Sequence, residues 1–130
     1  MNWSGRNVLI TGGAGHIGSH LTAELVKKGA NVRIADNLWR GKKEYLFDES
    51  GKPIIDFEKN FLELDLREME NCEKAVSGMD TIFHLADVVA GIDFVFGNEA
   101  FVYRSNILIN TNMFHAAHKV KSEKFAYVGA

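Results

Sequence analysis

The chain alternates short apolar runs with longer stretches of helical period. Residues 7–11 (NVLIT) form a β-branched run with polar residues before it and glycines after it, the pattern of a strand buried on both faces. From 17 to 28, Ile17, Leu21 and Leu25 recur at every fourth position and predict a helix. Lys27 and Lys28 fall in its last turn, and Gly29 can stop it. Further strands are expected over 31–35 (NVRIA, closed by Asp36), 61–64, 81–85 (TIFHL) and 125–128 (FAYV). Helical patterns fill 67–77, with Met69, Cys72 and Val76 on one face, and 98–119, with Val102, Leu108, Ile109 and Ala116. Residues 37–59 are harder to assign. The stretch 40–47 suits a short helix, Gly51-Lys52-Pro53 marks a turn, and Pro53, the single proline, lies outside every expected element.

Strands that alternate with helices, joined by right-handed crossovers, give a parallel sheet covered on both faces. The expected class is therefore α/β, a doubly wound parallel sheet of about five strands with flanking helices, in one domain over 1–130. A length of 130 residues suffices for one core. The net charge of −2 offers no basic field to nucleic acid or an anionic membrane, so neither is an expected partner. No apolar run approaches the roughly 20 residues of a membrane span, and residues 1–6 lack the apolar stretch of about 7–15 residues that marks a signal peptide. Cys72 is the only cysteine, which excludes a disulfide framework and suits a buried structural thiol. The expected compartment is the cytoplasm. The five histidines are scattered, with no metal-ligand spacing, and no metal site is expected.

The candidate chemistry begins where the first strand meets the first helix. Residues 11–18 read TGGAGHIG, which satisfies GxGxxG from Gly13 and GxxGxxG from Gly12. A tight turn needs a residue free to take positive φ. A diphosphate needs bare backbone close by, and the helix N-terminus supplies unpaired N–H groups and partial positive charge. Gly18 would let the helix pack close to the sheet. There is no GK[ST] ending, so this is not a mononucleotide P-loop. Asp36 ends the second strand 18 positions after Gly18, near the roughly 20-residue offset of an acid that binds ribose hydroxyls. A carboxylate there would repel a 2′-phosphate, which favours NAD over NADP; Arg40, close in sequence, weighs the other way.

With TGGAGHIGSHL (11–21), ADN (35–37), LDL (64–66), FHLAD (83–87) and the segment 106–117, the chain resembles the extended short-chain dehydrogenase/reductase family, the NAD-dependent sugar-nucleotide epimerases and dehydratases of Rossmann-type fold. Residues 65–72 and 83–112 are similar to its GDP-mannose 3,5-epimerase branch. The resemblance implies NAD as cofactor and assigns roles. Gly12, Gly15 and Gly18 would hold the pyrophosphate with Ile17 beside it, and Asp36 and Asn37 the adenosine ribose. Asp65 would accept from the adenine amino group and Leu66 would pack on the ring. Leu85 and Ala86 would line the path to the nicotinamide, and Asn106 would help shape the active site. Plainer roles stand beside these: core packing for Leu66, Leu85 and Ala86, a helix cap for Asp65, and a polar helix face for Asn106. The ring of His16 can face phosphate or solvent. Asp87 stands where the family has alanine, near the nicotinamide end, and suits a surface or capping role better than a substrate contact. His84 reads as a satisfied core histidine.

The family's catalytic tyrosine and lysine, in a YxxxK helix, have no counterpart here. Tyr103 is followed four positions later by Ile107, and Tyr127 matches a strand tyrosine that is structural in the family. Gly129 and Ala130 occupy slots where the family has small hydroxyl residues. No catalytic residue is assigned. The expectation is the N-terminal, NAD-binding part of a longer enzyme, with its substrate domain absent and no turnover of its own. The parent would use transient hydride transfer on a nucleotide sugar. A stand-alone dinucleotide-binding or regulatory module, or part of an NADP-dependent reductase, are the alternatives. An uncovered sheet edge and helix face would favour a homo-oligomer.

Overall fold

The first strand sets the architecture. In the computed structural model, which describes residues 2–88 and 92–128, β1 (Asn7–Thr11) is buried from Val8 to Thr11. It pairs in parallel with β2 (Asn31–Asp36) on one side and β4 (Thr81–His84) on the other. With β3 (Phe61–Glu63) beside β2 and β5 (Lys124–Tyr127) beside β4, the sheet runs β3-β2-β1-β4-β5, all parallel. The chain winds outward from β1 to β3, then crosses back to β4. The strand order reverses between β1 and β4, the switch point at whose carboxyl edge open α/β sheets place their crevice.

Side chains alternate across the sheet with period two. Val8, Ile10, Val32 and Ile34 face Leu25 of α1 (His16–Lys27), Leu46 and Ile55. Leu9, Ala35 and Ile82 face the opposite layer, which holds Cys72 and Val76 of α3 (Met69–Val76) and Ile109, Met113 and Ala117 of α5 (Glu99–Lys119). Arg33 points into that second layer, where its Nη1 donates to Ala75 O at 2.9 Å and Ser77 O at 2.8 Å. It thereby satisfies carbonyls that the end of α3 leaves unpaired. Cys72 is buried as expected, and burial pushes its thiol up to about 12. Among the described residues no helix is long and apolar enough to cross a membrane.

The structure revises the 37–59 segment. Residues 40–47 do not form an α-helix; a single 3-10 turn spans Lys43–Leu46 and drops Leu46, fully buried, onto the α1 layer. Pro53 bridges Phe47 in an isolated antiparallel contact. A short α2 (Phe57–Asn60) follows, capped by Asp56, whose carboxylate accepts from Glu58 N and Lys59 N. Residues 98–119 form the long helix as read, with Asn98 at its N-cap. It is preceded by α4 (Ile92–Gly97), which the periodicity does not reveal because none of its residues is buried. Elsewhere the boundaries move by a residue or two, as hydrogen-bond criteria allow: Leu64 lies outside β3, although its N still donates to Asp36 O at 3.2 Å. Gly129 and Ala130 lie outside the described residues.

The 3-10 turn makes a simple prediction. Leu46→Ala removes a fully buried side chain and should cost about 2–5 kcal/mol. Tyr45→Ala, at an exposed neighbour, should cost within about 0.5 kcal/mol. Urea unfolding of the two variants reads the difference; equal losses would contradict the placement of this segment.

Candidate functional site

The glycine turn divides three tasks among its residues. Gly12 takes φ +71°, and its N donates to Ala35 O at 2.8 Å, closing the turn back onto β2. A Cβ on Gly12 would stand 3.0 Å from Ala86 N, so the exit of β4 lies flat against it. Gly18 serves packing: a Cβ there would stand 2.3 Å from Gly12 O, so the first turn of α1 touches the strand exit with no room for one carbon. Gly15 differs from both. Its φ of −77° is open to any residue, and a Cβ would meet protein only at Gly12 O, 3.2 Å away. It is the N-cap of α1 and faces the crevice; no side chain caps the helix, and its first turn carries no acid. The first N–H groups of a helix have no intrahelical partner, so this mouth presents donors and partial positive charge.

Asp36 lies at the end of β2, buried beside that mouth. Its Oδ2 accepts from Ala14 N at 3.0 Å and its Oδ1 from Leu38 N at 2.7 Å. Burial pushes this carboxyl above its ordinary range, while those two backbone N–H groups partly offset the shift. Two bonds leave free lone pairs on both oxygens. Leu38 carries φ +61°, a conformation uncommon for leucine, and Asn37 Oδ1 accepts from Trp39 N at 3.0 Å. The turn after β2 thus bends over the glycine loop. Lys42 N donates to Ala14 O at 3.0 Å, and a Cβ on Gly41 would stand 2.9 Å from Asp36 Oδ2.

These elements enclose a cleft of about 330 Å³ at the carboxyl edge of the sheet. Eleven of the expected site residues meet in its wall: Gly12, Gly15, His16, Ile17, Gly18, Asp36, Asn37, Leu66, Leu85, Ala86 and Asp87. Among the described residues no cluster of three or more His, Cys, Asp or Glu is placed to hold a metal.

The model of the NAD dependent epimerase/dehydratase family matches residues 8–130. The chain belongs to that family. GDP-mannose 3,5-epimerase of Arabidopsis thaliana is 32% identical over 130 residues, covering 98% of this chain and 32% of that protein. UDP-N-acetyl-alpha-D-glucosaminuronate decarboxylase of Bacillus cytotoxicus is 34% identical over 119 residues, covering 91% of this chain and 35% of that one. Among solved structures, the UDP-glucose 4-epimerase of Thermus thermophilus, in complex with NAD, superposes with a TM-score of 0.73 at 31% identity, covering 92% of this chain and 36% of that one. The chain spans about a third of the length of the relatives it matches.

In this family member two expected residues stand back from the cleft. Asp65 forms a bidentate pair with Arg67, through Nε at 3.0 Å and Nη2 at 2.7 Å, and also accepts from Arg67 N. The pair holds its carboxyl below the ordinary range. It orders the turn ahead of α3, whose N-cap is Glu68. Asn106 grips the backbone of Val88, accepting from its N at 2.7 Å and donating to its O at 3.3 Å. It thereby ties Val88, which lines the cleft, to α5. Asp87 is exposed in the wall. His16 is exposed too, its ring edge-on to His20 with centroids 5.1 Å apart.

The sequence reading missed Trp39, Gly41, Val88 and Ile109 in the wall. Ile109 reads as ordinary helix core. Gly41 had a signal, a lone glycine five positions after the strand-end acid, but its meaning needs the fold of the loop. Trp39 packs against Phe94 of α4 and Phe101 of α5, at centroid distances of 5.8 and 5.9 Å, contacts with no local signature.

The three glycine tasks separate by mutation. Gly12→Ala and Gly18→Ala should each destabilise by about 1–3 kcal/mol or more, from a strained φ in one case and overpacking in the other. Gly15→Ala should cost less than either. Thermal unfolding of the three variants checks the ranking, and Gly15→Ala as the worst of them would contradict it.

Proposed function

We propose that the cleft binds NAD and that residues 1–130 are the cofactor-holding part of a longer nucleotide-sugar epimerase or dehydratase. The observation that carries this reading is the uncapped mouth of α1, with the bare backbone of Gly15 facing the cleft. Gly12, Gly15 and Gly18, with His16 and Ile17 beside them, would hold the diphosphate. Asp36 and Asn37 would take the adenosine ribose, Leu66 the adenine ring, and Leu85, Ala86 and Asp87 the stretch toward the nicotinamide. Asp65 and Asn106 would act from behind the wall. Bound NAD would supply a transient hydride acceptor for the sugar of the parent enzyme. The residues here bind and orient, and a buried carboxylate at Asp36 disfavours the 2′-phosphate of NADP. A lone, buried thiol fits the reducing cytoplasm.

Fluorescence titration with NADH tests the reading. The chain has two tryptophans: Trp39 in the cleft wall, and Trp3 packed on Phe83 in the α1 layer. NADH should quench tryptophan emission saturably, and the quench should survive Trp3→Phe but not Trp39→Phe. Gly15→Val should abolish binding while keeping the native circular dichroism. Asp36→Asn should weaken NADH on the order of 10–100-fold, the loss of hydrogen bonds to a charged acceptor, and narrow the preference over NADPH. Because the Asp36 carboxyl titrates above its ordinary value, NADH affinity should fall as the pH drops through that raised value. Tighter binding of NADPH, or unchanged affinity in Gly15→Val, would overturn the assignment.

The proposal includes self-association. β5 is the last strand of the sheet beside β4, and Tyr127 and Phe114 stay partly exposed next to it. Sedimentation velocity should show a concentration-dependent dimer; a monodisperse monomer at all concentrations would refute this part alone.

A further inference from the structure

Thr11, the last residue of β1, is fully buried, and its hydroxyl oxygen is fully committed. It accepts from Leu85 N at 3.1 Å and from Ala86 N at 3.0 Å, and lies 2.7 Å from His84 Nδ1. A hydroxyl has two acceptor lone pairs and one proton. The two backbone N–H groups use the lone pairs, so the proton goes to His84 Nδ1, which must be bare. The ring's own proton is then on Nε2, which donates to Asn110 Oδ1 at 2.8 Å. Asn110 Nδ2 donates in turn to Tyr127 OH at 3.2 Å. Every donor in this chain points the same way, from the exit of β4 through β1 and back across β4 to α5 and β5. Such head-to-tail chains reinforce their members.

The two N–H groups at the head of the chain belong to Leu85 and Ala86, which line the cleft, and Ala86 lies against Gly12. We propose that neutral His84, as its Nε2–H tautomer, is a positioning residue: it orients the Thr11 hydroxyl, which holds the β4 exit in place as one wall of the cofactor cleft. A proton on Nδ1 would set two donors face to face. Thr11 would have to turn its own proton toward that edge; Leu85 N would keep its ladder bond to Thr11 O at 3.2 Å, while Ala86 N would lose its acceptor and be released. Burial favours the neutral ring and holds His84 below its ordinary value, partly offset by Asn110. Facing the ring are Thr11 from β1, Asn110 from α5, and Phe125 and Tyr127 from β5. Tyr127 is the titratable group among them, and no Asp, Glu, Lys or Arg is one of the four.

The proposal rests on the NAD reading only for its consequence for affinity, and the test keeps the two apart. His84→Gln retains an acceptor for Thr11 and a donor for Asn110 but cannot titrate; His84→Leu retains neither. The hydrogen-exchange protection factor at Ala86, measured without cofactor from pH 8 downward, reads the positioning directly, with Leu85, which keeps the Thr11 carbonyl as a second acceptor, as the internal reference. A depressed histidine value means stability fully present above about pH 6.5 and lost as the pH falls toward the folded value. Wild-type protection should therefore drop below about pH 6.5. Protection in His84→Gln should stay level, and in His84→Leu it should be low throughout. Imidazole nitrogen shifts should report Nε2–H at neutral pH. In parallel, NADH affinity of the wild type should weaken about 2- to 10-fold over the same range, the loss of one neutral hydrogen bond. The Gln variant should show only the decline that the cleft carboxyls of Asp36 and Asp87, both raised by burial, cause in both proteins. Parallel protection profiles in wild type and His84→Gln, or an Nδ1–H tautomer, would overturn the positioning role. Failure of NADH to bind while protection behaves as described would overturn the NAD reading instead.

Discussion

One close approach governs this molecule: the carbonyl of Gly12 lies where a single carbon on Gly18 would have to go. That contact brings the mouth of α1 onto the exit of β1, so that the first N–H groups of the helix open on the crevice where the strand order reverses. The left-handed turn at Gly12 follows from the same contact, since the chain must leave the strand and enter the helix within four residues. Around this junction the other parts are supports. The turn after β2 folds back over the loop, and Thr11 pins the exit of β4 beside it.

The same geometry explains which chemistry the segment contributes. Relatives named for epimerisation and for decarboxylation match the same residues of this chain. What they share here, on the reading proposed above, would be a device for holding a nucleotide, with backbone donors, one buried carboxylate and a largely apolar wall. A buried carboxylate tuned upward by desolvation and restrained by two backbone N–H groups is poised to accept from hydroxyls rather than to meet an anion.

The fold was largely legible because its strands are short apolar runs bounded by polar residues and glycine, and its two long helices carry apolar residues at helical spacing, although in α1 only Leu25 of the three that marked it is buried and Ile17 stands exposed at the cleft. The reading weakened where burial has no period. Leu46 is buried by a single 3-10 turn between exposed neighbours, and α4 buries nothing. The glycine loop and Asp36 were legible because a strand-to-helix turn without room for a Cβ and a strand-end acid fall at fixed spacings along the chain. Trp39 and Gly41 were not, since their places in the cleft depend on how the 37–42 loop lies over Ala14 and against α4 and α5. Asp65 and Asn106 were legible as positions but not as partnerships. Both sit where the motifs put them, but here their side chains bind Arg67 and the Val88 backbone.

The central claim is that backbone N–H groups at the opening of α1 receive the diphosphate of a dinucleotide. Backbone amide chemical shifts followed through an NAD titration test it most directly. The account predicts that the amides of His16, Ile17 and Gly18 move first and furthest, saturating together with that of Asn37. Saturable shifts confined to residues away from the β1–α1 junction, with those three amides unmoved, would contradict it.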